Sequence, residues 1–428
     1  MKIAFPYGKE TILHDFAGED LRACAEAPLR NYVPEKSGEE LIRRAMEAPV
    51  GSPRLSELAR GKKKIVIVIS DHTRPVPSKK ILPPMLREIR EGAPEAEITL
   101  LVATGCHRGT TKEELVDKCG KEIVENERIV VHDCDDRQNL IPLGTLPSGG
   151  FCEINRLAAE ADLLAAEGFI EPHFFAGFSG GRKSVLPGIA GRTTVISNHC
   201  SAFIDDPASR TGNLEGNPIH RDMLWAAEKA GLAYIVNVVL NDRKEIVFAS
   251  AGDPRLAHEK GTDFLSGMAG VTMPETEVVI STNGGYPLDQ NVYQAVKGMT
   301  AAETAVKEGG VIIMLARAED GIGGEHFYRQ LAEEPDGEKT LARFLARSPA
   351  ETEPDQWQSQ ILLRILRKAQ VILVSGTEDD KVRAMHMIPA HSLDEALKTA
   401  KALLGREHPS IGAIPDGVGV IVRAGEKR

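Results

Sequence analysis

Short apolar runs alternate with amphipathic stretches along most of the chain. KKKIVIVIS (62–70), EITLLVA (97–103), RIVVHD (128–133) and ADLLAAEGFI (161–170) are β-branched or aliphatic and nearly unbroken by polar residues. Such runs suit strands buried on both faces, as in a parallel sheet. Between them, SKKILPPMLREIREG and TKEELVDKC carry helical spacing, and Ser78 is placed to cap the first. YIVNVVL (234–240) and EIVFASAG (245–252) flank NDRK and predict a hairpin, followed by a helix through DPRLAHEKGTDFLSGM. The alternation restarts at EVVIS (277–281), continues through QNVYQAVKGMTAAETAV, GVIIML and AQVILVS, and ends at GVGVIV. The pattern predicts two α/β domains with mostly parallel sheets. The expected division is 1–272, 273–405 and a C-terminal segment, 406–428, that can return to the first domain.

Composition narrows the picture. A chain of 428 residues is too long for one core, and 42% hydrophobic with 27% charged residues is ordinary for a globular protein. A formal charge of -10 argues against nucleic acid or an anionic membrane as a general partner. Any anion site must then be local. The six cysteines form no C-x-x-C pair, which suits reduced thiols. The N-terminus MKIAFPYGKE has no signal-peptide core, and no run approaches the roughly 18 apolar residues of a span. These features predict a cytoplasmic protein.

Ligands in open α/β sheets bind beyond the carboxyl ends of the strands. Four unusual segments fall there: DHTR (71–74), TGCHRG (104–109), EPHFFAGFSGGRKSVLPGIAG (171–191) and NGGYPLDQNVYQAVKG (283–298). The third carries Gly177, Gly180, Gly181, Gly188 and Gly191 around Lys183, yet Arg182 stands where a triphosphate loop needs glycine. Glycines admit close approach of backbone N–H groups to an anion. Lys183 is a point charge or, if desolvated, a nucleophile. Arg74 offers a fork for carboxylate or phosphate. His107 and His173 suit general acid/base work, although each also suits an ordinary loop or core histidine. His199, beside Cys200, is a single potential metal ligand where zinc would want three or four. Tyr293 and Lys297, four apart, share a helix face. DGIGGEHF (320–327) lacks the spacing of a dinucleotide loop.

Taken together, SDHTRPVPS, ATGCHRGT, EPHFFAGFSGGRKSVLPGIAG, the Asn198-His199 pair, GGYPLDQNVYQAVKG and DQWQSQ resemble the nickel-dependent lactate racemase family over essentially the whole chain. The resemblance implies an isomerase that interconverts the hands of a small 2-hydroxy acid, lactate by default, through hydride transfer and a 2-oxo acid. It implies a nickel-pincer nucleotide, a pyridinium mononucleotide with two sulfur-bearing arms, attached at Lys183 through a thioamide. His199 is then the protein's nickel ligand, and His107 and His173 the opposed acid/base pair. Asp71, His72, Thr73 and Arg74, with Gly177, Gly180 and Gly181, would line the cofactor's cleft, His72 having no separate role. Arg74, Tyr293, Gln294, Lys297 and Trp357 would hold substrate, the tryptophan suggesting a small apolar-walled pocket. Maturation would need separate cofactor-synthesis proteins. Two other readings stay open at this point: an NAD-dependent 2-hydroxy acid dehydrogenase, against which the missing G-x-G-x-x-G counts, and a non-catalytic nucleotide- or phosphate-binding protein.

Overall fold

The computed structural model describes residues 1–425. Ile65–Ile69 are all buried inside the strand Lys64–Ser70, as the unbroken apolar run requires. That strand lies inside a six-stranded sheet in the order Ile246–Gly252, Leu232–Leu240, Leu163–Phe169, Lys64–Ser70, Glu97–Ala103, Arg128–Val131. Only the hairpin pair at one edge is antiparallel. From Lys64–Ser70 the chain winds outward one way, and from Leu163–Phe169 the other. The two strands therefore flank a topological switch point, where a crevice opens beyond their carboxyl ends.

A second six-stranded sheet is parallel throughout, in the order Ile388–Ala390, Gln370–Val374, Val306–Leu315, Thr276–Thr282, Ser410–Ile414, Asp20–Cys24. Its switch point lies between Thr276–Thr282 and Ser410–Ile414. The loop leaving Thr276–Thr282 runs into helix Val292–Ala305, which carries Tyr293, Gln294 and Lys297.

Both chain ends enter this second layer, which departs from the expected division. Strand Asp20–Cys24 is an edge of the second sheet, although 1–272 was assigned to the first domain. The hairpin Lys2–Tyr7 with Glu10–Asp15 packs Ile3 and Phe5, together with Phe16, against Val278, Ile280 and Val311. Near the C-terminus, Ser410–Ile414 occupies the sheet interior, and Ile421–Ala424 pairs with Gly270–Met273 at the seam. Ser78 begins helix Ser78–Gly92 but does not cap it. Pro77 holds the cap position, and the Ser78 hydroxyl donates to buried Glu167 (3.0 Å).

One apolar core runs through both layers, from Val66 and Leu101 through Phe174 and Phe175 to Val292, Val296 and Phe327. A buried reciprocal pair also joins the layers. Ser201 Oγ donates to Gln360 Oε1 (2.8 Å), and Gln360 Nε2 donates to the Ser201 carbonyl (2.9 Å). The two switch-point crevices thus face one another across a packed seam.

Candidate active site

The loop after Lys64–Ser70 positions an acid/base unit. Asp71, 1% exposed, accepts from the Thr73 N–H (3.2 Å) and Thr73 Oγ1 (2.7 Å) on one oxygen. Its other oxygen lies 2.7 Å from His107 Nδ1. Burial alone would raise the Asp71 pKa, but the bonds from His107 and Thr73 and the charge of Arg74 outweigh it, so the group stays below its ordinary value. An ionised Asp71 takes the Nδ1 proton side of His107 and leaves Nε2 as a base on a half-exposed ring. Arg74 is exposed and makes no direct ion pair among the described residues, although its charge is felt by Asp71 and Glu171. His72, grouped with these residues in the sequence reading, is turned aside: its Nδ1 meets Thr110 Oγ1 (3.1 Å) and lies near Glu114.

The glycine-rich loop is shaped from behind. Gly180 and Gly181 have φ of 77° and 53°, and a Cβ at either would meet Asn237 or His258 within 2.9 Å. The Gly181 N–H is taken by Asn237 Oδ1 (2.8 Å), so that donor serves the loop. At Gly177 a Cβ would lie 2.3 Å from the Asn213 carbonyl. All three positions need glycine for close packing. Arg182 is 2% exposed, and its guanidinium donates to carbonyls of this same loop.

Held this way, Lys183 Nζ lies 3.5 Å from His173 Nε2 and 5.9 Å from the Phe175 ring centre. Burial first, then the charges of Arg182, Arg74 and Lys297, push the amine well below the usual lysine range, and Glu171 opposes them. His173 is likewise held well below the ordinary imidazole value, by burial and then by Lys183, Lys297 and Arg74. Its Nδ1 accepts from the Ala176 N–H (3.3 Å), and its ring stacks on Phe174. This corner therefore sets an amine pushed toward its neutral form against a neutral imidazole.

His199 ends helix Arg192–Asn198. Nδ1 donates to the Val195 carbonyl (3.0 Å), which leaves the Nε2 lone pair for a ligand, the usual support for a metal-binding imidazole. Burial lowers its pKa to about 3. Phe175 and Trp357 meet its ring edge-on at 5.1 and 5.4 Å between centres. Trp357 Nε1 donates to Tyr293 Oη (3.2 Å), which fixes both rings as a wall. Lys297, one helical turn on, lies 5.9 Å from the Phe174 ring, and burial brings its pKa down to about 8. Gln294 lies on the same helix with no internal bond to its side-chain amide among the described residues.

The sequence reading missed the supporting residues. Glu171 is the acid amid these cations, and burial holds its pKa above the ordinary value. Asn237, His220 and His258 back the loop. A signal for Asn237 was available, since it is the one polar residue in YIVNVVL.

The donor set tests the implied cofactor. His199 belongs to no group of three potential metal ligands among the described residues. The one such group, Asp133, Cys134 and Asp135, has Asp135 committed to Arg192 in a two-pronged ion pair (2.7 Å each). One available imidazole nitrogen and one free amine fit a metal that arrives with most of its ligands on an organic carrier.

Fold and site together define a two-domain α/β enzyme of the interdomain-cleft type, with an imidazole against a buried lysine amine. Comparisons with known proteins give the family. Family models described as "Lactate racemase N-terminal domain" and "Lactate racemase C-terminal domain" match residues 7–212 and 271–422. The lactate racemase of Thermoanaerobacterium thermosaccharolyticum is 52% identical over 422 residues, 98% of this chain and 99% of that protein. The lactate racemase of Lactiplantibacillus plantarum is 51% identical, with the same coverage. The chain belongs to the lactate racemase family. The solved lactate racemase apoprotein from T. thermosaccharolyticum superposes with a TM-score of 0.95, covering 99% of this chain and all of that one. A Thermotoga maritima protein at 20% identity shares the fold, with a TM-score of 0.63 over 92% of this chain.

Proposed function

We propose that this chain is an isomerase that racemises lactate with a nickel-pincer nucleotide carried on Lys183. The observation that carries the reading is the Lys183–His173 pair at 3.5 Å, with a second imidazole, His107, held through Nδ1 by buried Asp71. His199 would supply the one protein ligand to nickel, and Lys183, its amine pushed below the usual lysine range by burial, would supply the attachment. When bound, the group accepts and returns the substrate's α-hydrogen as hydride.

The protein's own residues do the rest. Lys297, protonated at neutral pH, and Arg74 hold the substrate carboxylate, and Gln294 adds a polar contact. Tyr293 and Trp357 wall the side that receives the methyl group. One imidazole takes the hydroxyl proton as the α-hydrogen leaves with its electron pair, which gives a planar 2-oxo acid and avoids a carbanion. The opposite imidazole would return a proton to the oxygen for the other hand of the product. Each histidine is thus base for one hand and acid for the other.

The test uses α-deuterated L-lactate and protein matured with cofactor-synthesis proteins. D-lactate that keeps its deuterium, with an added mass on the Lys183 peptide, is the expected result. Loss of the label to water would refute hydride transfer. NADH formation from added NAD would point to the dehydrogenase reading instead.

A further inference from the structure

Arg182 first stands out as the residue that spoils a triphosphate loop. It is also among the most deeply buried large side chains of the chain. Nη2 donates to the Ala176 carbonyl (2.8 Å), and Nη1 lies 3.3 Å from the Gly180 carbonyl and 3.5 Å from that of Ser179. Nε donates to His220 Nδ1 (3.0 Å), and Nη1 lies against His258 Nε2 (3.0 Å). No carboxylate pairs with it among the described residues. A buried cation satisfied only by carbonyls and neutral imidazoles is costly, and an apolar side chain of similar size would fill the space at less cost.

We propose that Arg182 is the positioning residue of the tether loop, seating His173 and Lys183 against one another. The inference rests on the reading of Lys183 as the cofactor's attachment point. Ala176 makes the link: its N–H donates to His173 Nδ1, and its carbonyl accepts from Arg182. Lys183 follows Arg182 directly in the chain, so the same strut sets the direction in which it leaves the loop. The guanidinium also acts through charge. Among the groups that face the Lys183 amine, Arg182, Arg74 and Lys297 favour the free amine, Glu171 opposes them, and His173 and His199 are uncharged near neutral pH.

The structure supplies a way to test this. The far side of Arg182 lines a separate cavity of about 170 Å³, together with His220, His258 and Arg255. A small cation can reach the space that Arg182→Ala would vacate without crossing the active site.

The full-length apo chain is trace-labelled with acetic anhydride at pH 7 and pH 10, and the Lys183 peptide is read by mass spectrometry against the other lysines. In Arg182→Ala, labelling of Lys183 at pH 7 falls below that of wild type, the direction expected when a buried amine loses a neighbouring positive charge and binds its proton more tightly. At pH 10 it does not fall, and the other lysines are unchanged. Guanidinium chloride at millimolar concentration restores the rate, and ammonium chloride does not. Unchanged labelling at pH 7, a rise at both pH values, or equal rescue by ammonium overturns the proposal. If Arg182→Ala does not fold by circular dichroism, Arg182→Lys keeps the charge but cannot span three carbonyls. It is then expected to gain cofactor mass on Lys183 at least fivefold more slowly than wild type, on the order of what a 1 kcal/mol misplacement costs. Equal rates would overturn the inference alone, whereas wild-type protein that gains no mass would overturn the tether reading.

Discussion

Asp71→Asn is the sharpest probe of the acid/base unit, because the structure dictates which way the amide turns. One Asp71 oxygen receives two donors, the Thr73 N–H at 3.2 Å and its hydroxyl at 2.7 Å. In the variant the amide oxygen stays with those donors, and the NH2 faces His107 Nδ1 at 2.7 Å. His107 must then accept at Nδ1 and carry its proton on Nε2, the wrong tautomer for a base. Positioned general acid/base catalysis is worth about 10²–10⁴ in rate, and the corresponding Asp→Asn change in a serine-protease triad loses about 10⁴. We expect kcat to fall by about 10²–10⁴, about 2.7–5.5 kcal/mol in barrier. Asp71→Ala leaves the ring free to take either tautomer and should lose less than Asp71→Asn. The assay is chiral chromatography of matured protein started from each pure enantiomer, with circular dichroism to show the fold intact. Because enantiomers are equal in energy, kcat/KM must fall equally in both directions whichever histidine is impaired. A loss under tenfold, or an Asn variant faster than the Ala variant, would refute the reasoning.

Lys297 carries its charge below about pH 8 and loses it above. kcat/KM should therefore decline above that pH through weaker substrate capture, and Lys297→Arg should flatten the decline in a pH–rate profile. His199→Ala should keep the added mass on Lys183 but retain no nickel after desalting, read by plasma mass spectrometry of the metal. Stoichiometric nickel in that variant would remove His199 as the ligand. Gln360→Leu leaves the buried Ser201 hydroxyl without its acceptor and removes one donor from the Ser201 carbonyl, and should cost about 1–3 kcal/mol in urea unfolding.

The parts of the fold written in local pattern were legible. KIVIVIS, EITLLVA and EVVIS became parallel strands because each is apolar on both faces, and the NDRK hairpin formed where two such runs meet. Strand Asp20–Cys24 was not legible. It is an edge with Asp20 and Arg22 ion-paired to each other, and its partner Ser410–Ile414 lies almost the whole chain away. The site divides the same way. The glycine-rich loop and the histidines stood out in the sequence, and the family resemblance gathered them. Their supports did not stand out, because Asp71 reaches His107 across 36 positions, and the Arg182 partners His220 and His258 sit on helices far along the chain. A lone loop histidine becomes a base only when its partner is in view.

The two lysines of the cleft show how one site can hold two chemistries on one side-chain type. The chain carries a formal charge of -10, yet this seam gathers Arg74, Lys183 and Lys297, with Arg182 behind them and Glu171 as their acid. Lys183 is buried beside Arg182 and also feels Arg74 and Lys297, so it is pushed toward the free amine. Lys297 feels burial and Arg74, with Glu171 partly offsetting them, and its pKa stops at about 8. It is then roughly nine-tenths protonated at pH 7 and can hold a carboxylate. The free amine is a nucleophile and the ammonium is an anchor. Adding a carboxylate between Arg74 and Lys297 would raise the Lys297 pKa and strengthen that anchor. Arg182 bears on the first lysine and not on the second, and that difference in surroundings is what separates the two proposed roles.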